Sequence, residues 1–242
     1  MSITNAQRSI PISTDAPELG DVVEVIGTLP HASNATMLAR DGDGNLVVYK
    51  PSFGAQPLHD FDSGTLAARE VLTFEVSEAL GFGVIPETRL VDGVYGPGSV
   101  QRMINEDRET DPRSLLDGPD ERLWPFAVLD VVTNNTDRKL GHLLIEDGSG
   151  RIWGIDNGLT FHHIPKLRTV LWGFADQELP AAMVGALGFL QQALSGGLYE
   201  RITTLLSAAE ADAVQHRLTG LLQSPVHPSP PTHRQPLPWP WW

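Results

Sequence analysis

The stretch 129–160 constrains the fold of this chain most, because it brings ionisable side chains together at one end of a predicted hairpin. Two short apolar strands within residues 143–155 flank the strong turn sequence Asp-Gly-Ser-Gly. A hairpin brings its two open ends together, so His142 and Asp156 are expected to be neighbours, and Asp137 lies just upstream. The sequence therefore predicts a site made of two carboxylates and an imidazole.

The first part of the chain has the pattern of a small antiparallel sheet. Apolar strand candidates are separated by short polar turns, and they cover residues 22–29, 37–39, 46–51, 86–91 and 94–104. The loop 31–36 is small and polar. It could cover phosphates with its backbone N–H groups and the hydroxyls of Ser33 and Thr36, or it could be an ordinary hairpin connection.

A predicted helix over residues 64–80 carries a carboxylate on its apolar face, because Glu70 lies between Leu66 and Phe74 at helical spacing. A carboxylate in that position is costly unless it is paired. Lys50, at the end of an apolar strand, is the natural partner. The alternatives are a Glu70 side chain that reaches water at the margin of the face and a solvated lysine at a strand end.

The order of these features is similar to that of kinases, in which a catalytic aspartate, a metal-binding residue, a hairpin and Asp-x-Gly follow one another. Asp137-Arg138-Lys139 resembles the catalytic loop of phosphatidylinositol 3-/4-kinases and HipA-like kinases. Together with Asn-Asn-Thr-Asp-Arg-Lys-x-Gly-His (134–142) and Lys-Leu-Arg-Thr-Val-Leu-Trp-Gly (166–173), it resembles an actinobacterial phosphatidylinositol-kinase-like family of unassigned substrate. The resemblance covers roughly residues 20–222.

The resemblance implies an α+β, two-lobed, protein-kinase-like fold with an antiparallel-sheet N-lobe and a helical C-lobe. We expect a flexible arm, an N-lobe, a C-lobe and a disordered Pro/Trp-rich tail, with boundaries at 1–20, 21–104, 105–222 and 223–242. In the C-lobe, helices are expected at 121–132, 177–194 and 198–222, and the first of them is apolar on nearly every side and therefore buried.

The resemblance also implies that ATP and Mg²⁺ or Mn²⁺ are cofactors, and it assigns roles to residues. The expected nucleotide-binding residues are Ser33, Thr36, Lys50, Glu70, Gln101 and Met103. The expected catalytic residues are Asp137 as the group that takes the acceptor proton, and Arg138 and Lys139 as cations that neutralise the transferring phosphoryl group. The expected metal-binding residues are Asp156 and His142.

His142 departs from the wider superfamily, which carries Asn at this position. An imidazole ligand at the second metal would shift the preference from magnesium towards manganese, because magnesium prefers oxygen ligands. Alternatively, His142 could donate a hydrogen bond to a phosphate, or it could be a structural histidine at the start of a strand.

The composition of the chain disfavours several classes of binding partner and excludes some kinds of site. The formal net charge of −13 disfavours nucleic acid and anionic membrane surfaces. The chain has no cysteine, which excludes disulfides and thiolate metal sites. The apolar runs predict no membrane span, and the beginning of the sequence does not resemble a signal peptide, so a cytoplasmic protein is expected. The sequence leaves the oligomeric state open.

The function that these patterns predict is ATP-dependent phosphotransfer to a hydroxyl group of a protein Ser/Thr, a small polyol or a lipid head group. Three alternatives stay open. The same pocket could bind nucleotide without transfer, as in a pseudokinase or regulator, or it could transfer AMP. A metal-dependent hydrolase could instead use the His/Asp set Asp137, His142, Asp156, His162 and His163.

Overall fold

Strands with alternating buried and exposed residues form the first half of the chain into an antiparallel sheet of five strands, in the order β1-β2-β3-β5-β4. The computed structural model describes residues 19–29, 35–54, 60–118 and 120–242. The strands are Val22–Thr28 (β1), Met37–Asp41 (β2), Leu46–Pro51 (β3), Thr88–Gly93 (β4), Gly96–Arg102 (β5), Leu143–Ile145 (β6) and Ile152–Gly154 (β7). The helices are Leu66–Ala79 (α1), Trp124–Thr133 (α2), Ala181–Ala193 (α3), Tyr199–Leu205 (α4) and Ala208–Gln223 (α5).

The fold confirms the predicted class, with an antiparallel-sheet N-lobe and a helical C-lobe. Strands β3 and β5 approach closely where β3 delivers Lys50. A Cβ at Gly98 would lie 2.3 Å from the Lys50 carbonyl oxygen, so only glycine fits there. Lys50 pairs with Ser99 in this ladder. The central strands of the sheet therefore fix the backbone that carries the expected phosphate-binding lysine.

Helix α1 belongs to both lobes. Its residues Leu72 and Val76, and Leu80 at its C-terminal cap, are in the same buried cluster as the apolar helix α2 and the hairpin strands β6 and β7. Arg69, which precedes Glu70, pairs with Glu210 of α5 at 2.6 Å and donates to the Thr160 carbonyl oxygen at 2.6 Å. These buried contacts set the position of the helix face that carries Glu70.

One of the predicted C-lobe helices differs from the structure. The helix predicted over 198–222 is interrupted, because the Ser207 side chain accepts a hydrogen bond from the Glu210 N–H and caps a new helix, α5. The break predicted at Ser195-Gly196-Gly197 is present as a kink between α3 and α4, within Leu194–Leu198. Gly197 supplies the φ of +128° that this kink needs.

The structure does not support the predicted disorder of the tail, residues 223–242. The Pro236 carbonyl accepts hydrogen bonds from Thr169 N (3.2 Å) and Trp172 Nε1 (2.9 Å), and the Trp241 carbonyl accepts one from Leu140 N (2.8 Å). Proline cannot donate from its nitrogen, but its carbonyl still accepts, so a proline-rich segment can be fixed from one side. The predicted arm, residues 1–20, lies almost wholly outside the described residues.

The sequence predicts no membrane-spanning helix, but the structure contains one helical run that is long and apolar enough to be a candidate. Ala181–Leu205 has the length and apolar composition of a membrane span, with 22% of its most apolar window buried. Leu187, Leu190 and Ile202 of this run are buried in the C-lobe core. A core helix of a soluble protein can have the same length and composition, so this run by itself does not establish a membrane span.

Candidate active site

Lys50 joins the two lobes of the structure through two carboxylates. Its Nζ lies 2.8 Å from Glu70 Oε1 and 2.5 Å from Asp156 Oδ1, and its side chain is 16% exposed. The predicted pair of Lys50 and Glu70 is therefore present, and Asp156 shares it. Burial alone would lower the pKa of Lys50, but the charges of Asp156 and Glu70 hold it above its ordinary value. The lysine is a fixed cation.

The predicted hairpin is present, and it places the two ionisable residues at its open end together. Ile155 N donates to the His142 carbonyl oxygen at 2.9 Å, so the two strands stay paired up to that point. His142 Nε2 lies 3.6 Å from Asp156 Oδ2. Asp156 has a φ of +55°, a left-handed conformation that turns its carboxylate out of the strand direction towards Lys50.

The two residues have opposite charge preferences. The cation Lys50 holds the pKa of Asp156 well below its usual range, so this residue is a carboxylate at neutral pH. Burial lowers the pKa of His142 to about 4, so its imidazole is neutral. Its Nδ1 is buried and has no hydrogen-bond partner among the described residues. The nitrogen of this neutral imidazole that can act as a ligand is therefore Nε2, which faces Asp156.

Asp137 lies in the loop between α2 and β6, residues 134–142, which contains the residues predicted to be catalytic and is called the catalytic loop here. Its backbone N–H donates to Asn135 Oδ1 at 2.9 Å, and its Oδ2 lies 3.2 Å from Lys139 Nζ. Burial raises the pKa of Asp137, and Lys139 opposes that shift. A carboxylate with a raised pKa and 24% of its side chain exposed has the properties of a general base.

Arg138 does not face the cleft, so the expectation that it neutralises the transferring phosphoryl group is wrong. Its side chain has no exposed surface and pairs with Asp130, with Nη2 at 3.0 Å from Oδ1. It also donates to Asn157 Oδ1 at 2.7 Å and to the Ile155 carbonyl oxygen at 3.1 Å. The guanidinium therefore holds the catalytic loop against the residues on both sides of Asp156.

Asp130 is the functional residue that the sequence reading missed. It is fully buried near the end of α2 and accepts hydrogen bonds from Asn135 Nδ2 (3.0 Å), Arg138 and Thr169 Oγ1 (3.1 Å). These contacts tie the catalytic loop to the 166–173 segment. The signal was present, because Asp130 is the lone charged residue inside an otherwise apolar helix pattern.

Gln101 and Met103, two of the predicted nucleotide-binding residues, have different surroundings. Gln101 lies in β5 between two strands, and its side-chain amide donates to Thr88 Oγ1 at 2.8 Å, so the amide is already used. Met103 lies just beyond β5, is 36% exposed and lines the cleft between the lobes. Thr36 also lines that cleft, whereas Ser33 lies outside the described residues.

The cleft has a volume of about 1030 Å³ and collects most of the predicted residues. Apolar and polar groups from both lobes line it, including Thr36, Val48, Lys50, Gln101, Met103, Lys139, His142, Leu144, Asp156 and Trp242. A cleft of this size can hold a nucleotide. Seven of the predicted site residues therefore line the cleft, whereas Glu70 and Asp137 contact the lining residues Lys50 and Lys139 without being part of the lining, and Arg138 is buried away from it.

The hydrolase alternative finds no support in the described part of the chain. His162 and His163 stack on each other at 4.7 Å between ring centroids, and His162 Nδ1 accepts a hydrogen bond from Ile164 N at 3.0 Å. No group of three or more His, Cys, Asp or Glu side chains in the described ranges is arranged to hold a metal on its own. The two histidines lie outside the residues that line the cleft.

Comparison with solved structures shows that this chain has a kinase-like fold. The chain is similar to the Helicobacter pylori proinflammatory kinase CtkA, with a TM-score of 0.54 at 11% identity over 86% of this chain and 93% of that one. It is similar to hydra Fam20, solved with sugar, with a TM-score of 0.53 at 14% identity over 84% of each chain. It is also similar to the Golgi casein kinase with Mn/ADP bound, with a TM-score of 0.52 at 13% identity over 84% of this chain and 72% of that one.

Comparison of the sequence with those of known proteins shows the family to which the chain belongs. The chain is 36% identical over 254 aligned positions to Protein Rv2133c of Mycobacterium tuberculosis, which covers 89% of this chain and 91% of the relative. The chain therefore belongs to the family of Protein Rv2133c. No protein-family model matches the chain.

Proposed function

We propose that this protein is an ATP-dependent phosphotransferase that phosphorylates a hydroxyl-bearing acceptor. The observation that carries the proposal is the Lys50 ammonium, held between Glu70 at 2.8 Å and Asp156 at 2.5 Å at the wall of the interlobe cleft. A buried lysine with two carboxylate partners is costly in a protein that makes no use of its charge. Triphosphate binding is the use that the kinase fold supports.

In this proposal Lys50 binds the nucleotide phosphates and Glu70 keeps it in place. The γ-phosphorus bonds to the acceptor oxygen as its bond to the β–γ bridging oxygen breaks, and ADP leaves. Asp137 takes the hydroxyl proton, since its raised pKa suits a base that must hold a proton briefly. Lys139, 3.2 Å from Asp137, is the cation available to the transferred group in place of Arg138.

Asp156 and His142 are the residues that would hold Mg²⁺ or Mn²⁺ with the nucleotide. The donor set fits such an ion only in part, because it contains one carboxylate that stays ionised and one neutral imidazole, whose Nε2 lies 3.6 Å from that carboxylate. Nucleotide phosphate oxygens would complete the coordination. When bound, the ion neutralises phosphate charge. The Mn/ADP bound to the Golgi casein kinase supports this part of the proposal.

The finer family assignment also belongs to this proposal. The Asp137-Arg138-Lys139 sequence and the 166–173 segment favour a relationship with phosphatidylinositol-kinase-like and HipA-like kinases. The hydrogen bonds between Arg138 and Arg168, and between Arg138 and Val170, support a shared design because they join those two motifs directly. The net charge of −13 favours a soluble acceptor over an anionic lipid surface.

The test is incubation of the purified chain with ATP labelled at the γ or the α position, Mn²⁺ or Mg²⁺, and a cell extract as the source of acceptor. Transfer of the γ label alone is expected. Transfer of the α label would instead mean AMP transfer. ATP binding without any transfer, in the native protein and in Asp137→Asn alike, would indicate a nucleotide-binding pseudokinase.

A further inference from the structure

The segment 236–242, called here the C-terminal strap, is fastened across the catalytic loop. The Pro236 carbonyl accepts a hydrogen bond from Thr169 N at 3.2 Å, and the Trp241 carbonyl accepts one from Leu140 N at 2.8 Å. Thr169 is in the segment that Asp130 binds, and Leu140 follows the catalytic residues directly. The strap is therefore attached to the two elements that surround the proposed base.

The strap adds an aromatic wall to the cleft. Pro240 and Trp242 line it together with Lys139 and His142. Trp242 lies on the catalytic-loop side, since a Cβ at Gly141 would lie 3.7 Å from the Trp242 carbonyl carbon. Its side chain keeps much of its surface open, with the residue 62% exposed. The Trp242 ring packs edge-on against the rings of Trp239 and Trp241, with centroids 5.8 and 5.7 Å away. Trp242 lines the same cleft as Lys139, whose ammonium contacts Asp137.

The same attachment disfavours a polypeptide acceptor. An extended peptide that binds by its main chain needs free backbone N–H and C=O groups on the receiving surface. The strap already uses the N–H groups of Leu140 and Thr169. A peptide that approached Asp137 along this surface would have to displace the strap and break these hydrogen bonds.

We propose that Trp242 forms one wall of the acceptor site and that the acceptor is a small hydroxylated ring compound. The C–H face of such a ring carries a small positive charge and packs on the negative face of the indole. One ring hydroxyl then faces Asp137 and receives the γ-phosphoryl group. The cleft volume of about 1030 Å³ leaves room for this ring beside a nucleotide. This inference rests on the proposed phosphotransfer and names its substrate class.

The test uses the full chain with γ-labelled ATP and two sets of probes. One set is glucose, N-acetylglucosamine and myo-inositol, and the other is a mixture of Ser/Thr peptides. Label is expected in the ring compounds and not in the peptides. Trp242→Ala is expected to raise the KM for the ring compound about tenfold while the Kd for ATP changes less than twofold, and Trp242→Phe should retain most of the affinity.

Phe189→Ala is the matched control, because Phe189 is also exposed (61%) but lies on α3 and does not line the cleft. It should leave both constants unchanged. A Trp242→Ala variant that labels peptides faster than the native protein would overturn the inference and make the strap an inhibitory cover. A large loss of ATP affinity in that variant would also overturn it, because the indole would then belong to the nucleotide site.

Binding without turnover separates this inference from the function on which it rests. Saturation-transfer NMR with ADP and Mg²⁺ should detect the ring compound on the native protein, with a signal that Trp242→Ala weakens. ATP binding with no ring compound bound or labelled refutes the acceptor class and leaves the phosphotransferase proposal in place. Failure of the native protein to bind ATP refutes the phosphotransferase proposal itself.

Discussion

Arg138 and Asp130 form an ion pair in which neither side chain has exposed surface. Arg138 follows the proposed catalytic base in the sequence, but its guanidinium points into the protein. It contacts Asp130 at the end of α2 and Asn157 next to Asp156. One buried side chain thus holds the catalytic loop and the Asp156 turn at a fixed separation, and the cleft residues depend on it for their placement.

Removing this guanidinium should lower the stability of the folded protein and not only slow catalysis. Arg138→Met leaves the Asp130 carboxylate buried without its cation, and loss of one partner of a buried pair costs about 3–5 kcal/mol. The free energy of unfolding, measured by urea titration, should fall by that amount. The double variant Asp130→Leu/Arg138→Met should recover much of the loss, because it removes the unpaired charge. A stable but inactive Arg138→Met would contradict this assignment and return Arg138 to a catalytic role.

Lys50→Ala should weaken ATP binding at least about tenfold, because the triphosphate loses its fixed cation. Isothermal titration calorimetry with ATP and Mg²⁺ measures the Kd. Lys166→Ala is the matched control, since Lys166 is also paired, with Asp60 at 2.6 Å, but it does not line the cleft. Equal affinities in native protein and Lys50→Ala would refute the nucleotide site.

Asp137→Asn should retain ATP binding and lose phosphotransfer, because the amide has the same shape but cannot take a proton. General-base contributions predict a loss in kcat of roughly 10²–10⁴-fold. Transfer of γ label measures the rate, and calorimetry checks that the Kd for ATP stays within about twofold. Asp92→Asn, which changes an exposed carboxylate on β4, should behave as the native protein. Normal turnover in Asp137→Asn would mean that another group accepts the proton.

Much of this site could be predicted from the sequence, because its signals are local. The hairpin with its Asp-Gly-Ser-Gly turn brought His142 and Asp156 together, and the carboxylate on the apolar face of α1 indicated the partner of Lys50. Each of these inferences needs only the period of a strand or a helix and the cost of an unpaired buried charge.

The parts that could not be predicted depend on contacts between distant segments. From the sequence, Arg138 is expected to be an accessible cation like Lys139. The structure shows instead that it is buried against Asp130 of α2. The tail reads as disordered because its prolines bury little surface, yet its carbonyls are used by N–H groups of the catalytic loop and of the 166–173 segment. Single hydrogen bonds between distant segments leave no periodic pattern in the sequence, so they could not be predicted.

Stability should decrease below about pH 6.5 through a buried histidine of the tail. His227 is 1% exposed and lies among the rings of Trp124, Trp172 and Phe174. Burial lowers its pKa, although a hydrogen bond with the Pro228 carbonyl oxygen and the charges of Asp130 and Asp176 oppose that shift. The folded protein therefore takes up this proton less readily than the unfolded chain. Its contribution to stability is complete above the unfolded pKa, near 6.5, and is lost as the pH falls towards the folded pKa.

Urea unfolding of the native protein and of His227→Phe at pH 7.5 and pH 5.5 tests this assignment. The native protein should lose up to about 1.4 kcal/mol per pH unit more than the variant below pH 6.5. His142 and His162 also have pKa values lowered by burial, and their contribution is common to both proteins. Identical slopes would mean that His227 titrates equally in the folded and unfolded chains.

His142→Asn should change which metal supports the reaction. Asn offers an amide oxygen where the native residue offers a neutral imidazole nitrogen, and magnesium prefers oxygen more strongly than manganese does. The ratio of ATP affinities measured with Mn²⁺ and with Mg²⁺ should therefore shift towards Mg²⁺ in the variant, with transfer retained. His163→Asn, which changes an exposed histidine, should leave the ratio unchanged. An unchanged ratio in His142→Asn would exclude metal ligation, and the 3.6 Å approach of His142 to Asp156 would then only position that carboxylate.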